Sequence, residues 1–168
     1  MTVGEIKAGR GGLIGNAGEY YVVAELLKRG VVAALAPRNA RAFDVLATKD
    51  NHMARIRVKT KSEQWDPWQW AAKKDGIIFL ELADENDFTI LVNLASDRAK
   101  LVFFIVPTTI LNTWLVADFK EWLATPGKGG RPHSETNRKR HLGFSNYAER
   151  LEPYRENWEI LWNTAPVV

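Results

Sequence analysis

The chain has 168 residues, 46% hydrophobic and 26% charged, enough for one domain with its own core and too apolar for a disordered chain. It contains no Cys, which excludes disulfide frameworks and thiolate metal centres, and its formal charge of +3 admits an anionic partner without requiring one. No apolar run approaches the ~18 residues of a membrane span, and the first residues lack a basic-then-apolar leader pattern. The expectation is therefore a cytoplasmic protein with no membrane association.

Residues 1–15 are Gly-rich and predict a flexible arm ahead of a single domain at 16–168. Asn16 is a favourable N-cap and Gly30 a favourable stop, so 17–29 reads as a helix. At ~100° per residue, Tyr20, Val22, Val23, Ala24, Leu26 and Leu27 form one apolar arc. Glu19 falls inside that arc, at its N-terminal end. A carboxylate aimed at a core edge calls for a partner. The competing reading is a first-turn acid that turns to solvent, where the helix dipole favours it.

The run 31–36 predicts a short strand closed by Pro37, and 43–48 with 54–61 predicts a β-hairpin turning at 49–52. The second arm contains Arg55-Ile56-Arg57-Val58-Lys59-Thr60-Lys61, so four cations share one strand face. Asp44 interrupts the first arm, where Asp is disfavoured. With this turn it falls opposite Arg57, with Lys59 diagonal to it. The pair reads either as a surface salt bridge or as a cleft in which an acid and a lysine cooperate on a phosphate.

Trp65, Trp68 and Trp70 follow at once, either to stack on unpaired bases or to cap the core. The runs 77–82 and 88–94 predict a strand pair, 101–106 predicts another strand, and Pro107 opens a helix that runs to Ala124. The polar loop 126–141 carries Lys128, Arg131, Arg138, Lys139 and Arg140 against Glu135, five cations and one acid, a net of +4. It reads either as a clamp on a nucleic-acid backbone or as a solvated loop. Residues 145–163 are helical in pattern, broken near Pro153. With no repeat and no internal linker, the order of elements predicts one α/β domain, a central mixed β-sheet flanked by helices.

The ordered set N-A-G-E-Y-Y-V-V-A-E-L-L at 16–27, F-D-V-L-A at 43–47 and I-R-V-K-T-K at 56–61 resembles the PD-(D/E)XK nuclease superfamily, of restriction-endonuclease-like fold. The later elements resemble its single-domain, resolvase-like members. That resemblance implies a restriction-endonuclease-like core with Glu19, Asp44 and Lys59 as catalytic residues. It implies Mg²⁺ or Mn²⁺ held by Asp44, Glu19 and the Val58 carbonyl, and a nucleic-acid partner, DNA before RNA. A homodimer is compatible with it. Magnesium takes hard oxygen ligands and leaves sites to water and substrate. Lys59 would orient the water or neutralise developing charge.

The family's second acidic position falls on Arg57, which stays charged and cannot ligate a metal. Two outcomes follow. Either Asp44 and Glu19 hold a metal alone, with Glu63 as a substitute ligand, and the chain is a nuclease. Or metal binding is lost and the domain only binds nucleic acid, with Arg55, Arg57, Lys59 and Lys61 gripping phosphates. In both cases Arg55, Arg57 and Lys61, with the cations of 126–141, are the expected backbone contacts.

Overall fold

The computed structural model describes residues 11–37, 40, 42–82, 86–95 and 97–163. Its first element, α1, spans Gly11–Lys28. The helix therefore starts before the expected N-cap Asn16, and residues 11–15 of the expected arm belong to it; residues 1–10 lie outside the described region. Gly30 ends the turn as expected, at φ +75, a conformation that costs glycine nothing. The buried face of α1 is narrower than the expected arc. Gly18, Val22 and Leu26 are buried, spaced four apart, while Tyr20 and Leu27 are 64% and 53% exposed.

Five strands form the main sheet: β1 (Val32–Leu35), β2 (Val45–Lys49), β3 (His52–Ser62), β5 (Asp87–Leu94) and β6 (Val102–Pro107), in the order β1-β2-β3-β5-β6. The β2–β3 hairpin is antiparallel, with Val45 on Ile56 and Lys49 on His52. Its turn places Asp50 and Asn51 at φ 47 and 65, the left-handed region that Asp and Asn tolerate best. Between β3 and β5 the ladder is parallel, running from Arg55 on Asp87 to Ser62 on Leu94. A parallel pair needs a crossover connection, and residues 63–86 supply it. This corrects the expected 77–82/88–94 strand pair. The segment 77–82 is not a strand, because β5 takes the place beside β3 and finds its antiparallel partner in β6.

The crossover carries a strand that the sequence does not announce. β4 (Pro67–Ala71) pairs with β7 (Lys139–Gly143) to make a separate two-stranded sheet, so the last residues of the expected loop 126–141 are strand. Between β6 and β7 lies α2 (Thr108–Ala124), starting just after Pro107 as expected. α3 (Phe144–Leu151) follows β7 and gives way at Glu152–Tyr154 to 3-10 turns, so Pro153 breaks the helix as predicted, but no long final helix forms.

One continuous core joins these parts, with Ile56, Ile90, Leu91, Ile105 and Leu111 fully buried along it. The mixed sheet with helices packed against it is the expected α/β architecture in one domain. No helix among the described residues is long and apolar enough to cross a membrane.

Candidate active site

Glu19 is carried into place by Gly18. A Cβ on Gly18 would lie 1.9 Å from Thr60 Oγ1, so only glycine lets α1 lie this close to β3. The next residue, Glu19, is half-buried and lines a cleft of about 270 Å³. Asp44 lines the same cleft, with Asn16, Tyr20, Phe43 and the 35–37 segment. The structure thus brings together the acid of α1 and the acid that precedes β2.

Asp44 stands just before β2 and not within it. Its N–H donates to the Ile56 carbonyl at 2.8 Å, although Val45 is the residue registered on Ile56. The chain is displaced by one residue at this point, and the Asp44 side chain reaches along β3. Its Oδ2 accepts the Val58 N–H at 2.7 Å. In a strand the N–H and C=O of one residue face the same edge, so the Val58 carbonyl is directed to the Asp44 side of β3.

Burial raises the Asp44 pKa, against the opposing pull of the Val58 N–H and the positive charges of Arg57 and Lys59. Burial lowers that of Lys59, and the Asp44 charge works against the shift. The two groups therefore feel one another's charge, although Lys59 does not line the cleft. Its ammonium lies 5.6 Å from the centroid of the Trp70 ring.

Of the two readings of Asp44 and Arg57, the surface salt bridge does not form. The Arg57 guanidinium pairs with Asp87 at 3.6 Å and donates to the Leu80 carbonyl, while lying 5.7 Å from the centroid of Phe79. Arg55 holds both oxygens of Asp87, at 2.8 and 2.9 Å. Asp87 is 1% exposed, so the two arginines balance a buried acid. Lys61 is 7% exposed and donates to the Trp65 carbonyl and Asn93 Oδ1, with Trp68 beneath it.

The cationic row is therefore roofed by the crossover and does not stand as an open wall. Trp68 belongs to the core at 1% exposure, Trp70 covers Lys59, and Trp65 is exposed. The cations of 126–141 divide as well. Lys128, Arg131, Arg138 and Lys139 are exposed, although Arg138 donates Nε to the Ala72 carbonyl; Arg140 is buried.

A divalent ion at the Glu19–Asp44 cleft would find two carboxylates, one with an oxygen already engaged by the Val58 N–H. Magnesium is commonly held by one or two carboxylates with water and phosphate completing its shell, so the donor set fits a weak hard-cation site. Glu63 does not line this cleft, and the described residues contain no cluster of three or more His, Cys, Asp or Glu that could hold a metal. Asp87 is the acid that sequence reasoning missed. It sits at the border of β5 and the crossover, and its only signal was that two arginines two residues apart on β3 needed a counter-charge.

No family profile matches the chain, and no curated protein matches its sequence. Among solved structures it is similar to the bacterial homing endonuclease I-Ssp6803I, with a TM-score of 0.50, 15% identity, and 89% of this chain and 88% of that one covered. Hjc, a Holliday junction resolvase from the archaeal hyperthermophile Archaeoglobus fulgidus, aligns with a TM-score of 0.44 at 16% identity, over 80% of this chain and 88% of that one. The likeness to the homing endonuclease shows the fold: the chain has the expected restriction-endonuclease-like α/β core, a mixed five-stranded sheet flanked by helices.

Proposed function

We propose that the protein is a metal-dependent nuclease that hydrolyses phosphodiester bonds in DNA. One observation carries this reading: Glu19 and Asp44, from different elements, line a single cleft. The fold supports it. The residues that would hold Mg²⁺ or Mn²⁺ are Asp44, Glu19 and the Val58 carbonyl. A bound ion would supply charge stabilisation at the attacked phosphate and a more acidic water.

The chain's own groups have separable tasks. Asp44 must be ionised to serve, and the Val58 N–H fixes its orientation. Lys59 places a positive charge near the phosphate, and its burial makes the Nζ proton easier to release. Arg57 neutralises Asp87 and anchors the crossover through the Leu80 carbonyl; in this reading it is a structural residue. Lys128, Arg131 and Lys139 are free to meet phosphates at the surface, whereas Arg55, Arg57 and Lys61 are committed to internal partners.

A second reading, a non-catalytic nucleic-acid-binding domain, is favoured by Arg57 and by the lack of a third metal-capable side chain among the described residues. Incubation with single-stranded, duplex and branched DNA and with RNA, in Mg²⁺ and in Mn²⁺, separates the two. Cleavage that disappears in Asp44→Ala is expected. Cleavage unchanged in Asp44→Ala overturns the assignment, and salt-dependent, metal-free binding without any cleavage selects the second reading.

A further inference from the structure

We propose that a second cleft, between the turn after β4, the Phe119 region of α2 and β7, is a subsite for a backbone phosphate of the nucleic acid. It deepens the reading above and rests on it. The cleft has a volume of about 680 Å³ and is lined by Lys73, Lys74, Arg138 and Arg140, against the acids Asp75 and Glu135. Asp75 is partly committed to its own turn, where Oδ1 accepts the Ile77 N–H at 3.1 Å.

Arg140 is the central group. It is 7% exposed, and NH1 donates to the carbonyls of Asn137 and Lys139 at 2.8 and 3.0 Å. Its guanidinium lies 3.3 Å from the Phe119 ring centroid. Burial lowers its pKa, and among the described residues no carboxylate forms an ion pair with it, in contrast to Arg57, which pairs with Asp87. A buried cation normally has a counter-ion, and carbonyls with one ring face satisfy only part of that need. An anion in the cleft would complete it.

The chemistry selects phosphate over a base. Phe119 has Arg140 on one face and is stacked with Trp122, centroids 5.5 Å apart. Trp122 is covered in turn by His133 at 3.8 Å. Phe119, the aromatic ring that lines the cleft, is therefore already engaged by Arg140 and Trp122. What the cleft offers is a guanidinium and flexible ammonium groups, the donors that grip phosphates without reading sequence.

The position is also informative. Arg140 is registered on Trp70, the ring that Lys59 lies against. A phosphate held here would be tied through β4 to the candidate catalytic lysine, so the subsite would set where the strand lies relative to the Glu19–Asp44 cleft.

The test measures duplex binding by fluorescence anisotropy, in EDTA and over a range of salt, for the full chain and for Lys73→Gln/Lys74→Gln. Both lysines are exposed, so folding should survive. The expected result is a several-fold loss of affinity at low salt, equal on unrelated sequences. The slope of log K against log salt should fall by about two, roughly one per lysine. An equal loss in the control Lys49→Gln/Lys100→Gln would overturn the subsite, since general charge would explain the effect. So would an unchanged slope in the presence of firm wild-type binding; in either case the nucleic-acid reading stands. Failure of the wild-type chain to bind any duplex at low salt would instead overturn the nucleic-acid reading itself.

Discussion

Replacing Gly18 by Ala should cost far more function than stability. The added Cβ would meet Thr60 Oγ1 at 1.9 Å, Thr60 Cβ at 2.9 Å and Thr60 Cγ2 at 3.0 Å, where ordinary contact begins near 3.4 Å. If Thr60 keeps its rotamer, α1 and β3 must separate by about 1.5 Å; if it rotates, the fixed Cβ still asks for about 0.5 Å. Overpacking of this kind costs about 1–3 kcal/mol, while Gly→Ala inside a helix returns about 1 kcal/mol, so the net loss should be roughly 0–2 kcal/mol. Glu19 moves with the helix, however, and a misplacement on the order of 1 Å in a catalytic site can cost about 10²-fold in rate. Urea denaturation should therefore show a small change, and Mn²⁺ titration and DNA cleavage a large one. Adding Thr60→Ala removes the two atoms that rotation moves and leaves only the Cβ contact, so the double variant should recover part of the activity. Loss of stability with metal affinity unchanged would refute the claim that Gly18 positions Glu19.

Arg57→Glu introduces the acid that the resembling pattern carries at this position but should not create a better metal site. It sets a carboxylate beside buried Asp87 and removes the donor to the Leu80 carbonyl, so a loss of about 3 kcal/mol or more is expected in the denaturation midpoint. Stronger cleavage at unchanged stability would contradict this. The raised pKa of Asp44 gives a pH signature with a definite sign. In the folded metal-free chain burial favours the protonated carboxyl, so its contribution to stability is present at low pH and lost as pH rises through the folded pKa. Metal binding needs the carboxylate, so calorimetric Mg²⁺ affinity should rise through the same interval, above the usual carboxylate range. An affinity that stays flat across that interval, or a profile unchanged in Asp44→Asn, would remove Asp44 from the site.

Much of the fold was legible because its signals are local. Gly30 stops α1 with a positive φ, Asp50 and Asn51 turn the β2–β3 hairpin, and Pro107 precedes α2. The failures are non-local. β4 and β7 lie about 70 positions apart, so neither Trp68-Gln69-Trp70 nor the basic stretch at 139–143 declares a strand until the other is beside it. Residues 77–82 look like a strand because they are apolar, but β5 takes their place beside β3. Phe79 is buried against Trp70 with no ladder, and the Leu80 carbonyl is satisfied by Arg57.

The site divides in the same way. Glu19 and Asp44 stand out in the sequence by their order and setting, and they line one cleft. That three of the four β3 cations face inward partners does not, because Asp87, Asn93 and the Trp65 carbonyl arrive from the crossover and β5. Alternation along a strand says which residues share a face; it does not say what covers that face.

Glu19 and Asp44 are proposed to form one cation site. A crystal soaked in Mn²⁺ tests it most directly, through the anomalous signal of the ion. The expected result is a peak between the two carboxylates that vanishes in Asp44→Ala. Mn²⁺ bound at another cluster, or no peak at this cleft with the ion in excess, would contradict it.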